Sequence, residues 1–330
     1  MANEIERNTN STSSSSSITS TLHHDIINSH ILTKLDGEAL ASAASSSSEL
    51  RLLCTQNHLW KTICTATWPS LNDPVAASVI STFPSNHFSI FSDSFPSPSI
   101  NHHRPITPSP EFISAVDIFY QGKPVFSRIN RTDSRSKWFL SSPLWLDLLE
   151  PSEVVPTRLK LGRNDDVEWL NHLEENLTLS WIVIDPARKR AANVSSRRAV
   201  SARWHWLSGE LEVLYSVVME EEITCGIKVT CCGKVGGEMH VREISLTMED
   251  MDGRHVMGEE SMVILQRAME SVKRKRVDGK EAKESYEKFC ERKRERRERL
   301  IKRHKTLDMV AMFVAFCVFA ALFSFLWFWL

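Results

Sequence analysis

The sequence predicts an α+β chain in four parts: an N-terminal three-helix module, an antiparallel β-rich domain, a charged helix and a C-terminal transmembrane helix. Three observations carry this. Apolar residues recur at helical spacing between Ile26 and Cys64. Short apolar runs divided by turn residues fill 177–267. Residues 309–330 hold no charge and no proline, and they follow a dense basic run. With 330 residues, 42% hydrophobic and 25% charged, the chain can build more than one core, which excludes a wholly disordered or collagen-like protein.

Residues 1–21 are rich in Ser, Thr and Asn and read as a disordered tail without the apolar stretch of a signal peptide. The first helix of the module carries Ile26, Ile27, Ile31, Leu32 and Leu35, with Asp25 placed to cap it. Asp36-Gly37 makes a turn. The second helix runs from Glu38 to Leu53 and includes Leu40. The third carries Leu59, Trp60, Ile63 and Cys64 and ends before Trp68-Pro69. Residues 70–111 read as a linker with one short helix near 74–82, because Pro84, Pro96, Pro98, Pro105, Pro108 and Pro110 oppose long elements.

The β-rich domain is expected over 112–267. Phe112, Ile118, Tyr120 and Val125 suit strands around a Gln121-Gly122-Lys123-Pro124 hairpin turn. Leu177–Ile184, Ala199–Trp206, Leu211–Met219, Ile223–Cys231, Met239–Met248 and His255–Leu265 read as successive strands of a meander in a sandwich or barrel. Residues 268–306 read as a basic, mostly solvated helix supported by the pairs Glu284/Lys288, Glu295/Arg299 and Glu298/Lys302.

Net charge is −1, yet residues 273–305 hold 16 Lys/Arg against 7 Asp/Glu. The rest of the chain is therefore acidic, which excludes a uniformly basic nucleic-acid coat. Residues 307–330 form the anchor, and as a helix its uncharged part spans about 33 Å, the thickness of a bilayer core. Arg299, Lys302, Arg303 and Lys305 precede the span, so by the positive-inside rule the bulk of the chain faces the cytosol. The endoplasmic reticulum is the default membrane for this tail. Lys273–Arg276 and Arg292–Arg294 also match nuclear-import signals, which leaves a nuclear location as the alternative.

The chain lacks a Gly-rich phosphate loop, a HExxH pair and a GxSxG elbow. Seven Cys at irregular spacing form neither a disulfide framework nor a zinc pattern, and Cys231-Cys232 reads as adjacent strand residues facing opposite ways. His23-His24 and His102-His103 have no partner at ligand spacing. No catalytic residue, metal, cofactor or nucleic acid is expected, and the chain reads as a non-enzyme.

The run Leu22-His23-His24-Asp25-Ile26-Ile27, then Ile31-Leu32-Thr33-Lys34-Leu35, Leu40, Leu59-Trp60 and Trp68-Pro69 resembles the F-box. Leu35–Ala44 and His58-Leu59-Trp60-Lys61 are similar to the version found in plant F-box proteins. Ala115–Pro124 and Ser195–Arg198 also look like that group. Many F-boxes open with Leu-Pro, and here His24 stands where the Pro would preset the backbone.

The resemblance, over residues 22–69, implies binding to the Skp-type adaptor of an SCF (Skp–cullin–F-box) ubiquitin ligase and, through it, to cullin. The β-rich domain would then capture a protein substrate. Motif transfer marks Asp25, Ile26, Ile27, Ile31, Leu32, Leu35, Leu40, Leu59 and Trp60 as adaptor-binding candidates, of which some must face the module's own core. Trp60 is the expected central anchor. A membrane-anchored binding scaffold without a ligase role is the alternative.

Overall fold

The computed structural model describes residues 24–95, 97–98, 109–163, 166–219, 222–270, 274–275 and 279–329, so the expected tail 1–21 lies outside the described residues. The chain forms two compact units, residues 1–66 and 67–330. It is α+β, with helices first, antiparallel sheets next and a long apolar-ended helix last.

The first unit begins with a helical turn α1 (His24–Ile26), a π-helical stretch Ile27–Ile31 and a 3-10 turn Leu32–Lys34. Asp25 lies within the first turn rather than before it. Then come α2 (Gly37–Ser46), α3 (Ser48–Cys54) and α4 (Asn57–Thr67). The continuous helix expected over 38–53 is thus two helices. Ser47 breaks it, since its backbone is extended and its hydroxyl accepts the Leu50 N–H at 3.1 Å. Asp36 caps α2 in the same way through the Ala39 N–H at 2.8 Å.

The second unit opens on a 3-10 turn Pro69–Asn72, α5 (Pro74–Ile80) and α6 (Asn86–Ser94). The stretch read as a linker is more ordered than its prolines suggest. Pro74 starts a helix behind the cap of Asp73, where a missing N–H costs nothing. Leu71, Ala76, Ile80, Phe83 and Ile90 are buried. After β1 (Ser97–Pro98), the strands β2 (Glu111–Tyr120) and β3 (Lys123–Asp133) form the expected hairpin. Its two-residue turn has positive φ at both Gln121 (49°) and Gly122 (75°), the twist that suits a tight hairpin.

Then follow α7 (Lys137–Ser141), β4 (Trp145–Asp147), β5 (Val155–Lys160), α8 (Val167–Asn176), β6 (Leu177–Asp185), β7 (Arg190–Asn193), β8 (Arg197–Arg198) and β9 (Ser201–Trp204). The chain ends with β10 (Leu211–Met219), β11 (Ile223–Cys232), β12 (Glu238–Asp250), α9 (Gly258–Glu270), β13 (Arg274–Lys275) and α10 (Gly279–Trp329). One sheet has the order β3-β2-β6-β7 with β8 also on β6; the other runs β4-β12-β11-β10-β9 with β5 also on β12. Strands β9 to β12 form the central part of the expected meander, whereas its expected first strand, 177–184, is β6 of the other sheet, and β1 pairs with β13. Both sheets contribute to one apolar core, including Phe112, Val116 and Trp181 from the first and Tyr215, Ile227 and Leu246 from the second.

The strand expected over 255–265 is instead the start of α9. Its buried residues Ser261, Met262, Ile264, Leu265, Ala268 and Met269 follow a helical period, and Glu259 and Glu260 favour a helix start. Gly258 is required there. A Cβ on it would stand 2.2 Å from the carbonyl oxygen of Phe139 in α7.

Three buried aspartates tie distant segments to the first sheet. Asp117 on β2 accepts the Ser70 N–H at 2.8 Å and the Ser70 hydroxyl at 2.6 Å. Asp93 on α6 takes a two-point grip from Arg190 at 2.9 and 3.1 Å and accepts the Ala191 N–H at 3.0 Å. Asp185 on β6 accepts the Ser109 hydroxyl and the Arg188 N–H.

Burial pushes the Asp117 carboxyl above its usual range, and hydrogen bonds from Ser70 and Ser127 pull it partly back. Because the folded value is raised, the contribution of Asp117 to stability is greatest in acid and falls as pH climbs through that value. Asp117→Ala strands the buried Ser70 N–H and is expected to cost about 2 kcal/mol in equilibrium unfolding. The gap from wild type should narrow from acid toward neutral pH; a gap that widens would contradict the assignment.

Candidate functional site

The helical unit sorts its apolar residues by winding. A π-helix closes hydrogen bonds from i to i+5, so residues five apart share a face better than in an α-helix. The Leu32 N–H reaches the Ile27 carbonyl in this way. Ile27 and Leu32 are accordingly buried together, while Ile26 (47% exposed) and Ile31 (42%) stand in solvent. Asp25 is exposed beside them, and Leu35 is half-buried.

Leu40, Leu59 and Trp60 are inside the unit. The Trp60 ring is fully buried, and its indole N–H donates to the Cys54 carbonyl at 2.7 Å. Trp60 therefore organises the core and offers no surface as an anchor. Of the nine candidates, the exposed ones are Asp25, Ile26 and Ile31. Leu52 on α3, 75% exposed, is an apolar surface residue outside that set. The sequence carried no clear signal for it, because the break at Ser47 that removes α3 from the phase of α2 shows only in the backbone.

At the other end, α10 is one helix of 51 residues, and the charged and apolar segments run through it without a break. Its last part is long and apolar enough to cross a membrane, and none of it is buried. Arg299, Lys302, Arg303 and Lys305 are exposed, with Arg299 3.5 Å from Glu295. The first turns of α10 are less solvated than expected: Ala282 and Phe289 are buried.

Among the described residues, no group of three His, Cys, Asp or Glu could hold a metal. Burial pushes the thiols of Cys225 and Cys231 up to about 12, which removes their nucleophilic form at neutral pH. Cys231 is buried and Cys232 half-exposed, as adjacent strand positions require. A polar cleft of about 400 Å³ between β3 and the 147–151 loop is lined by Arg128, Asn130, Asp147 and Glu150. The nearby Arg128–Glu153 pair holds the Glu153 carboxyl down to about 2.

No family model and no solved structure matches the chain. Curated relatives do. The chain is 43% identical over 326 residues to F-box protein At2g27310 of Arabidopsis thaliana, covering 93% of this chain and 96% of the relative. It is 42% identical over 317 residues to F-box protein At3g44326 of the same plant, covering 90% and 86%. Probable F-box protein At2g36090 is 43% identical over 294 residues, covering 87% of each.

The chain belongs to the plant F-box protein family. The match extends through the β sheets and not only the helical segment, so both units of this F-box protein have counterparts in the relatives. Buried and exposed positions of the helical unit should then respond differently to mutation. Trp60→Ala is expected to cost about 3–5 kcal/mol, and Trp60→Phe roughly 1 kcal/mol for the lost hydrogen bond. Ile26→Ala and Ile31→Ala should each stay within about 0.5 kcal/mol. Thermal unfolding of the four variants checks the split.

Proposed function

We propose that this F-box protein is the substrate-recognition subunit of an SCF ubiquitin ligase, held at a membrane by its C-terminal helix. The helical unit is the F-box and binds a Skp-type adaptor, which links it to cullin. The β-rich unit captures the protein to be ubiquitinated. The subunit does no chemistry itself. It raises the effective concentration of a target lysine near the charged ubiquitin carrier, which is a proximity effect.

The observation that carries this reading is the full-length identity to proteins named as F-box proteins. The exposed Ile26 and Ile31 add a physical reason, since two large apolar side chains on one helical face suit a helical partner. The membrane part rests on the uncharged end of α10 and the basic turns before it. Lys302, Arg303 and Lys305 are placed to meet anionic lipid headgroups, with the bulk of the chain in the cytosol. The endoplasmic reticulum is the membrane this reading favours.

Two experiments test it. Full-length protein carrying Ile26→Asp and Ile31→Asp should lose a co-purified Skp-type adaptor while keeping its melting temperature. Retention of the adaptor would show that another face binds it. Deleting 307–330 should release the protein from carbonate-washed membranes, and a soluble full-length protein would defeat the anchor. Replacing Lys302, Arg303 and Lys305 by Gln should weaken the preference for anionic lipid.

A further inference from the structure

The start of α10 is docked on the outer face of the second sheet. Tyr286 and Phe289 lie over Leu214, Ser216, Gly226 and Thr247. Three ion pairs mark its path. Lys283 meets Glu174 at 2.8 Å, and Glu174 also accepts the Ala202 N–H on β9. Lys293 meets Glu249 on β12 at 2.6 Å, and Arg296 meets Asp252 at 2.8 Å. In the strand order β4-β12-β11-β10-β9, the helix therefore crosses from the β9 edge toward the β4 edge. It leaves the domain where β4, the turn after β12 and the segment before α9 meet.

That corner carries exposed aromatic surface. Trp145 on β4 stands opposite Thr247 and packs edge-on against His255. Pro143 bridges Met257, and the Gly258 N–H binds the Ser142 carbonyl at 2.8 Å, which brings the end of α7 to the same segment. Trp138 on α7 is 77% exposed, and Trp145 and Met257 are also exposed. Lys228 lies over the Trp145 ring at 5.8 Å and Asp147 accepts its N–H, and Lys137, Arg254, Glu259 and Glu260 are neighbours in sequence, so the nearby charges are close to balanced.

We infer that Trp138, Trp145 and Met257 form a second membrane contact that rests in the interfacial layer of the same bilayer. The inference rests on the reading of α10 as a membrane anchor. Tryptophan favours that layer because its ring is apolar and its N–H is polar, and Trp145 directs its N–H to the Asp147 carboxylate at 2.7 Å. The geometry brings the patch there. Arg296 lies about 20 Å along the helix before Met309. The headgroup layer fills roughly 6 Å of that distance. About 14 Å then remains for the corner to span beyond Arg296, and the helix runs toward β4, so the corner lies on the side toward which it leaves. This tips the patch toward the lipid and the opposite loop, with Trp206 at 87% exposed, away from it. The basic turns of α10 provide the electrostatic attraction, and the tryptophans fix the tilt.

The test uses the full chain in nanodiscs of phosphatidylcholine and phosphatidylserine. The exposed Cys290 and Cys317 and the half-exposed Cys232 are replaced by Ser. One fluorophore is attached at Met257→Cys or, as the control, at Leu207→Cys, with a quencher on the lipid headgroup. The label at position 257 should be quenched several-fold more than the label at 207. Trp138→Ala with Trp145→Ala should bring 257 down to the level of 207 without changing the melting temperature. Equal quenching at both positions, in protein that resists carbonate extraction, would overturn the inference alone and leave the patch to a protein partner. Loss of carbonate resistance would remove the anchor and this contact with it. Quenching unchanged by the double variant would also overturn the inference, because the corner would then be held near lipid without its tryptophans.

Discussion

Buried carboxylates hold the second unit together. Asp93, Asp117 and Asp185 are each almost removed from water, and each is satisfied by groups that are remote in sequence. A carboxylate in that position costs several kcal/mol unless hydrogen bonds replace its water, so the partner segments are strongly specified. Asp117 needs the backbone and hydroxyl of Ser70; Asp93 needs Arg190 and the Ala191 N–H. A Pro- and Ser-rich stretch that could not bury much apolar surface on its own is thereby fastened to a sheet. The helices α5 and α6 follow from that attachment as much as from their own propensity.

The same unit ends in a helix with two environments. Over its first turns α10 has a narrow apolar stripe, enough to bury Ala282 and Phe289 against the sheet, with three ion pairs around it. Such partly exposed pairs are each worth about 1 kcal/mol or less. Their spacing along the helix matters more than their energy, because it fixes the line along which the helix leaves. Continuity through Gly279–Trp329 then transmits that line to the apolar segment.

Much of this was legible in the sequence. The meander from β9 to β12 and the hairpin at Gln121-Gly122 were readable because alternation and turn chemistry are local signals. The division of the helical module was not, since Ser47 looks like one more serine until its backbone is known to be extended. The 255–265 run failed for a related reason: a short apolar stretch fits both periods, and only its packing on α7 decides. Trp60 is the instructive case among the site residues. Motif position marked it as a surface anchor, whereas the structure buries it in the core of the helical unit, and position alone does not separate the two roles. The π winding that turns Ile26 outward and Ile27 inward carries no sequence signature of its own.

Magnitudes distinguish the two ends of the chain. Burying Ile26 and Ile31 against a partner would contribute about 1.5–3 kcal/mol for each fully covered side chain, before the cost of association is subtracted. That scale suits a subunit that joins and leaves a larger assembly, with affinity set by the contacts around the two isoleucines. The apolar end of α10 exposes Phe, Leu, Val and Trp on every side. In the proposed anchor each of its many large residues would favour lipid by a fraction of a kcal/mol or more, and the sum would make departure from the membrane negligible. In the proposed assembly the membrane contact is therefore permanent and the adaptor contact exchangeable. The ligase would be recruited to a receptor already in place, and the receptor would not be carried to the membrane by the ligase.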